Sequence, residues 1–102
     1  MADIIERHRQ QIAALCERTG VRRLDAFGSV LRADFDPERS DVDLLVEIDE
    51  RTPARYADAY FELKDGLEAL FGRRVDLVTQ AGLANPYLRQ RVEAGRRVVY
   101  AR

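Results

Sequence analysis

The chain holds a single cysteine, Cys16, in 102 residues, and one thiol cannot close an internal disulfide. Cross-linking is therefore excluded as a source of stability. Cys16 falls where an amphipathic helix would turn its apolar face inward, so it is expected to be buried and inert. The chain also lacks a surplus of either charge. Seventeen basic side chains against eighteen acidic ones leave a net −1, too weak a field to draw the protein onto nucleic acid or an anionic membrane. No apolar run is long enough to span a bilayer, and the mixed charges near the N-terminus do not make a signal-peptide pattern; both absences predict a cytoplasmic protein. Repeats, low-complexity tracts and interdomain linkers are missing too. What is present, 102 residues with 46% apolar content, suits one compact domain over residues 1–102 with a single modest core.

Apolar residues at Ile4, Ile5, Ile12, Leu15 and Cys16 predict a helix from Asp3 to Arg18, with His8 interrupting the stripe as a surface or boundary residue and Gly20 as terminator. Val21 to Phe27 reads as a strand that leaves at Gly28, where a missing Cβ permits unusual torsions and close approach of a ligand. Ser29 to Arg32 suits a short helical turn, and residues 33–40 an exposed loop. A second strand is expected from Asp41 to Ile48. Tyr56, Ala59, Tyr60, Leu63, Leu67 and Leu70 then recur at helical spacing as far as Phe71, with Gly72 as the stop. Arg74 to Thr79 reads as a third strand, separated from the second by a helix of crossover length. Asn85-Pro86 opens a last helix through Val92, and Val98-Val99-Tyr100 suits an edge strand. The fold class is α/β, a small mixed β-sheet packed with helices.

The chemistry concentrates in Phe27-Gly28-Ser29 and, after eleven intervening residues, Asp41-Val42-Asp43-Leu44-Leu45-Val46. Residues two apart on a strand share a face, so Asp41 and Asp43 point one way, roughly 6.6 Å apart at Cα, while Val42, Leu44 and Val46 point the other. Phosphoryl or nucleotidyl transfer needs phosphate charge neutralised and the reacting atoms brought into line, which two metal ions about 3.5–4 Å apart accomplish. Mg²⁺ prefers oxygen ligands and keeps several waters, so a few carboxylates plus substrate phosphates suffice. Asp41 and Asp43 supply the first set. Asp76, flanked by Val75 and Leu77, is placed to be the third carboxylate, completing one metal's shell and serving as base toward an incoming hydroxyl. Gly28 and Ser29 can offer N–H groups and a hydroxyl to the terminal phosphates. Arg32, one turn on, is a candidate either for a phosphate oxygen or for a nearby acid.

Gly28-Ser29, the spacer, Asp41-x-Asp43 and the later Asp76 resemble the signature of the DNA polymerase β-type nucleotidyltransferases. At this length the chain is similar to the minimal nucleotidyltransferase (MNT) family. Asn85-Pro86-Tyr87-Leu88 with its short helix and apolar strand resembles the family's usual ending, so the similarity covers nearly the whole chain. It implies a polymerase β-like nucleotidyltransferase fold, with Asp41, Asp43 and Asp76 as metal ligands to Mg²⁺ and Gly28 and Ser29 as the phosphate-binding pair. It also implies an antitoxin role: transfer of AMP from ATP to a tyrosine of an all-helical HEPN ribonuclease toxin. Two departures stand out. The spacer is one residue longer than the commonest form, and Ala33 replaces a glycine that often follows the arginine.

Two other readings keep the fold. One is a silent antitoxin that neutralises its partner by covering it; the other is nucleotidyl transfer to a small molecule or an RNA end, against which the short chain speaks because it leaves no second domain to form an acceptor pocket. Asp34 and Asp36 are expected to be solvated loop residues, Tyr56 and Tyr60 to serve packing, and the pairs Arg22-Arg23, Arg73-Arg74 and Arg96-Arg97 to be solvated faces available to an acidic partner.

Overall fold

The computed structural model describes residues 2–32, 34–36 and 38–102. In chain order the elements are α1 (Asp3–Arg7), α2 (Arg9–Thr19), β1 (Val21–Phe27), a 3-10 turn (Gly28–Leu31), β2 (Val42–Ile48), α3 (Pro53–Phe71), β3 (Val75–Thr79), a second 3-10 turn (Gln80–Ala84), α4 (Pro86–Glu93) and β4 (Arg96–Ala101). The strands form one mixed sheet in the order β3-β2-β1-β4. β1 runs antiparallel to both its neighbours, and β2 parallel to β3. A parallel return needs a crossover of about a dozen residues or more, and the 19 residues of α3 provide it.

Alternation along the strands sends side chains to two different cores. Leu24 and Ala26 of β1, Val42, Leu44 and Val46 of β2, and Val75 and Leu77 of β3 pack with Ile5, Ile12, Cys16, Leu63 and Leu67 from the helices. The other face carries a smaller cluster, in which Phe27, Leu45 and Val78 are closed off by Val92 of α4, with Leu83 and Leu88 against it. Each fully buried side chain of this size contributes about 1.5–3 kcal/mol, so the first face is where the fold draws most of its stability. α4 begins at a built cap, Asn85 Oδ1 accepting from the N–H of Tyr87 at 2.9 Å and of Leu88 at 3.4 Å, with Pro86 next in line.

The single helix expected over 3–18 is two. His8 leaves helical geometry at φ −110°, ψ 15°. Its Nδ1 donates to the Ile4 carbonyl at 2.8 Å, taking the acceptor that its own N–H would use in an unbroken helix, and that N–H turns to Ile5 O at 3.2 Å instead. The half-buried ring then meets Phe71 edge-on, centroids 5.8 Å apart. β2 starts at Val42, so Asp41 stands one residue before the ladder. The turn Gln80–Ala84 is an element that no periodic signal announced.

Ala33, with the departure noted there, and Pro37 lie outside the described residues. Around them, Asp36 Oδ1 accepts from the N–H of Glu38 at 2.9 Å. Arg73 is not a solvated face. Its Nη1 donates to the carbonyls of Asp36 at 3.3 Å and Ser40 at 3.1 Å, and its guanidinium lies 5.7 Å from the Phe35 ring centroid. It thereby ties the segment before β2 to the end of α3. Among the described residues, no helix is long and apolar enough to cross a membrane.

Burial raises the Cys16 thiol from 9.0 to about 12, which removes on the order of a thousandfold of its thiolate at a given pH. Native protein at pH 8 is expected to leave a disulfide-exchange reagent such as DTNB unreacted over minutes, and unfolded protein to react with one equivalent. Rapid labelling of the native state would contradict the packing described for α2.

Candidate active site

The site forms at one end of the sheet, on the face that α4 only partly covers. Antiparallel pairing sets Phe27 opposite Asp43, and parallel pairing sets Asp43 beside Asp76. Registered neighbours point to the same face, so both carboxylates lie on the face of Phe27, Leu45 and Val78. Asp41 alternates with the buried Val42 and adds a third acid from the lead-in to β2. Asp43 is 5% exposed, whereas Asp41 and Asp76 are exposed. Glu68 helps fix β3, its Oε2 accepting from the Val75 N–H at 2.9 Å.

Gly28 is the turn that lets β1 end against this cluster. Its φ is +72°, in the left-handed region that costs other L-residues roughly 1–2 kcal/mol. A Cβ there would stand 2.6 Å from Asp43 Oδ2 and 3.0 Å from Arg91 Nη2, so the torsion favours glycine and any side chain would have to displace the Asp43 carboxylate. Ser29, next along the 3-10 turn, donates from Oγ to the Asp41 carbonyl at 3.3 Å. That bond closes the chain between the Gly-Ser turn and the first acid, and it draws the two ends of the long spacer together. Arg32 sits apart from this contact. It pairs with Asp34, Nε to Oδ1 3.2 Å, with side chains 66% and 78% exposed.

Arg91 of α4 also belongs to the site, though sequence reasoning passed over it. Its Nη2 donates to Asp43 Oδ2 at 2.7 Å, and its guanidinium lies 5.4 Å from the Phe27 ring centroid and 5.9 Å from that of Tyr87. The available signal was its place on the stripe Leu88, Arg91, Val92, where a charge at an otherwise apolar position needs a partner. Asp25 was missed as well. It is 2% exposed on the same face, held by Arg23 Nε at 2.9 and 3.1 Å and by Arg96 Nε at 3.6 Å.

Burial raises the Asp43 carboxyl above its ordinary 3.8; the Arg91 guanidinium opposes the shift, and the Asp76 and Asp41 carboxylates reinforce it. An all-oxygen donor set of carboxylates beside an open turn is the chemistry that Mg²⁺ takes. The donor types and their shared face thus fit such an ion. Among the described residues, however, no three acidic, His or Cys side chains are already gathered around one metal position, and Arg91 holds the Asp43 oxygen that faces the turn.

Two consequences follow from these contacts. Gly28→Ala should lower stability by about 1–2 kcal/mol from its backbone alone, read as a fall in the urea midpoint, with further loss from displaced Asp43. Asp43→Asn should raise Tm at neutral pH, because it removes a charge that burial and the neighbouring acids oppose. With the folded-state value lying above the unfolded one, Asp43 binds its proton more tightly when folded, so stability falls as pH climbs from 3.8 through the raised value. The Asn variant's advantage should therefore be absent near pH 3 and present at pH 7; an advantage independent of pH would contradict the cause given.

Residues 8–99 match the family described as nucleotidyltransferase domain. A protein adenylyltransferase, MntA, of Thermococcus cleftensis is 40% identical over 91 residues, which cover 85% of each chain. A solved structure described as a "putative minimal nucleotidyltransferase" shares 39% identity at a TM-score of 0.68, covering 95% of both chains. A toxin-antitoxin solved with AMP-PNP has the same fold, with a TM-score of 0.65 at 22% identity over 92% of this chain and 73% of that one. With the strand register, the glycine turn and the aspartates disposed as they are, and the family pattern running through nearly the whole sequence, this chain belongs to the nucleotidyltransferase domain family and is of the minimal nucleotidyltransferase kind.

Proposed function

We propose that the chain, working as one domain, is a Mg²⁺-dependent protein adenylyltransferase that moves AMP from ATP to a tyrosine of a HEPN-type ribonuclease toxin and serves as that toxin's antitoxin. The observation that carries this is the pairing of Asp43 with Asp76 in parallel register beside a turn whose left-handed torsion favours glycine. The name of the Thermococcus relative and the fold shared with a toxin-antitoxin bound to AMP-PNP support it.

In the reaction, the tyrosine oxygen bonds to the α-phosphorus while the bond from that phosphorus to the bridging oxygen of the β-phosphate breaks. Pyrophosphate leaves, and the hydroxyl proton passes to a base. Asp41, Asp43 and Asp76 would hold Mg²⁺, two ions for the three carboxylates. When bound, the ions neutralise phosphate charge and orient the reacting groups. Asp76 is the base: it is exposed on β3, an edge strand, where a hydroxyl carried by another protein can reach it without entering a pocket. Gly28 and Ser29 seat the terminal phosphates through N–H groups and a hydroxyl, and Arg32 stands at the rim to add charge.

The test is mass spectrometry of the toxin after incubation with the chain, ATP and Mg²⁺. One AMP on a tyrosine is expected, and Asp41→Asn or Asp43→Asn should slow its appearance by about a hundredfold or more, the scale of several kcal/mol of charge stabilisation. Neutralised toxin without added AMP would instead establish a binding-only antitoxin, and wild-type rates in either variant would refute the assignment of the aspartates.

A further inference from the structure

Among the described residues, Arg91 is the cation nearest Gly28. Its Nη2 lies 3.0 Å from where a Cβ on Gly28 would be and 2.7 Å from Asp43 Oδ2. The side chain is 31% exposed, against 7% for Asp43. Phe27, fully buried, makes a fixed wall on one side of the guanidinium, and the exposed Tyr87 ring flanks it as well. An arginine confined in this way can move between partners near the turn while its charge remains, because the guanidinium does not deprotonate in proteins.

Resting on the function proposed above, we infer that Arg91 is the principal phosphate-binding arginine of the site, held by Asp43 in the free protein and handed to the triphosphate when a metal ion takes that carboxylate. Electrostatics require such an exchange. A divalent ion on Asp43 Oδ2 and a guanidinium hydrogen-bonded to that same oxygen at 2.7 Å compete for its lone pairs and repel each other, so one must yield. The replacement anion for Arg91 is a polyphosphate seated at Gly28, since Nη2 lies 3.0 Å from the Cβ position of that residue. A planar guanidinium suits phosphate oxygens through paired N–H donors. Arg32 starts less well placed, since it is exposed and pairs with the equally exposed Asp34.

Metal and nucleotide are thereby coupled through one side chain. Arg91 opposes metal binding alone, because the ion must displace it from Asp43, and favours metal with nucleotide, because the phosphates accept it. Calorimetric titration of the intact chain separates the two effects, with MnCl₂ as one titrant and Mg²⁺ plus AMP-PNP as the other. Arg91→Gln should bind Mn²⁺ alone about threefold or more tighter, as expected from removal of a nearby positive charge. The same variant should bind Mg·AMP-PNP roughly tenfold or more weaker, the scale of one lost charge-assisted hydrogen bond. Arg91→Lys should recover part of the nucleotide affinity as a point charge, and Arg32→Gln should weaken Mg·AMP-PNP less than Arg91→Gln does, because Arg32 is exposed and paired with Asp34. Circular dichroism on each variant checks that the fold is kept. The inference is overturned if folded Arg91→Gln binds Mg·AMP-PNP as wild type does, if it binds Mn²⁺ alone more weakly, or if Arg32→Gln loses more nucleotide affinity than Arg91→Gln. Wild-type protein that binds neither titrant would overturn the function proposed above. Wild type that binds both, with Arg91→Gln indistinguishable from it, would overturn the role of Arg91 alone.

Discussion

A carboxylate buried beside two other acids is the constraint around which this molecule is arranged. Asp43 is nearly out of water, in register with Asp76 and two residues after Asp41, an environment that opposes its charge. Such a group persists only with a counter-charge, and α4 delivers one in Arg91. The helix is positioned by its apolar residues, Val92 and Leu88 packing on Phe27, Leu45 and Val78. The same packing that closes the smaller core therefore brings the guanidinium to the acid. Gly28 completes the arrangement, since any side chain there would occupy the space between them.

The two faces of the sheet divide the labour. α1, α2 and α3 seal one face with aliphatic side chains, which lets the other tolerate buried charge, an open end and a strained turn. Stability and chemistry are thus drawn from different sides of the same strands, because alternation sends Val42 and Leu44 one way and Asp41 and Asp43 the other. The crossover through α3 is the link between them. Without a parallel β3, Asp76 would not lie beside Asp43, and the edge position of β3 leaves Asp76 open to solvent.

Much of this was readable in the chain, for identifiable reasons. Alternation around Asp41-Val42-Asp43 marked β2, and helical spacing marked α3; glycines at 20 and 72 marked helix ends, and both have left-handed φ, 73° and 66°; Asn85-Pro86 marked the start of α4. Asp76 could be paired with Asp43 because a crossover helix between two strands implies parallel neighbours. The break at His8 was not readable, since it depends on an imidazole competing for a local carbonyl and on Phe71 far along the chain. Arg73 looked like one of several solvated arginine pairs, and only the folded loop supplies the carbonyls it binds. Arg91 and Asp25 escaped for a related reason. A charge on an apolar stripe announces that it needs a partner, but which partner is a property of tertiary register.

Family membership and geometry meet at one question, whether the three aspartates hold a cation together with a nucleotide. The most direct answer is a crystal structure of the chain grown with Mn²⁺ and AMP-PNP, with anomalous scattering collected to locate the metal. The account predicts manganese within coordinating distance of the carboxylates of Asp41, Asp43 and Asp76, with the triphosphate against Gly28 and Ser29. A manganese peak elsewhere, or nucleotide bound with these carboxylates unengaged, would contradict it.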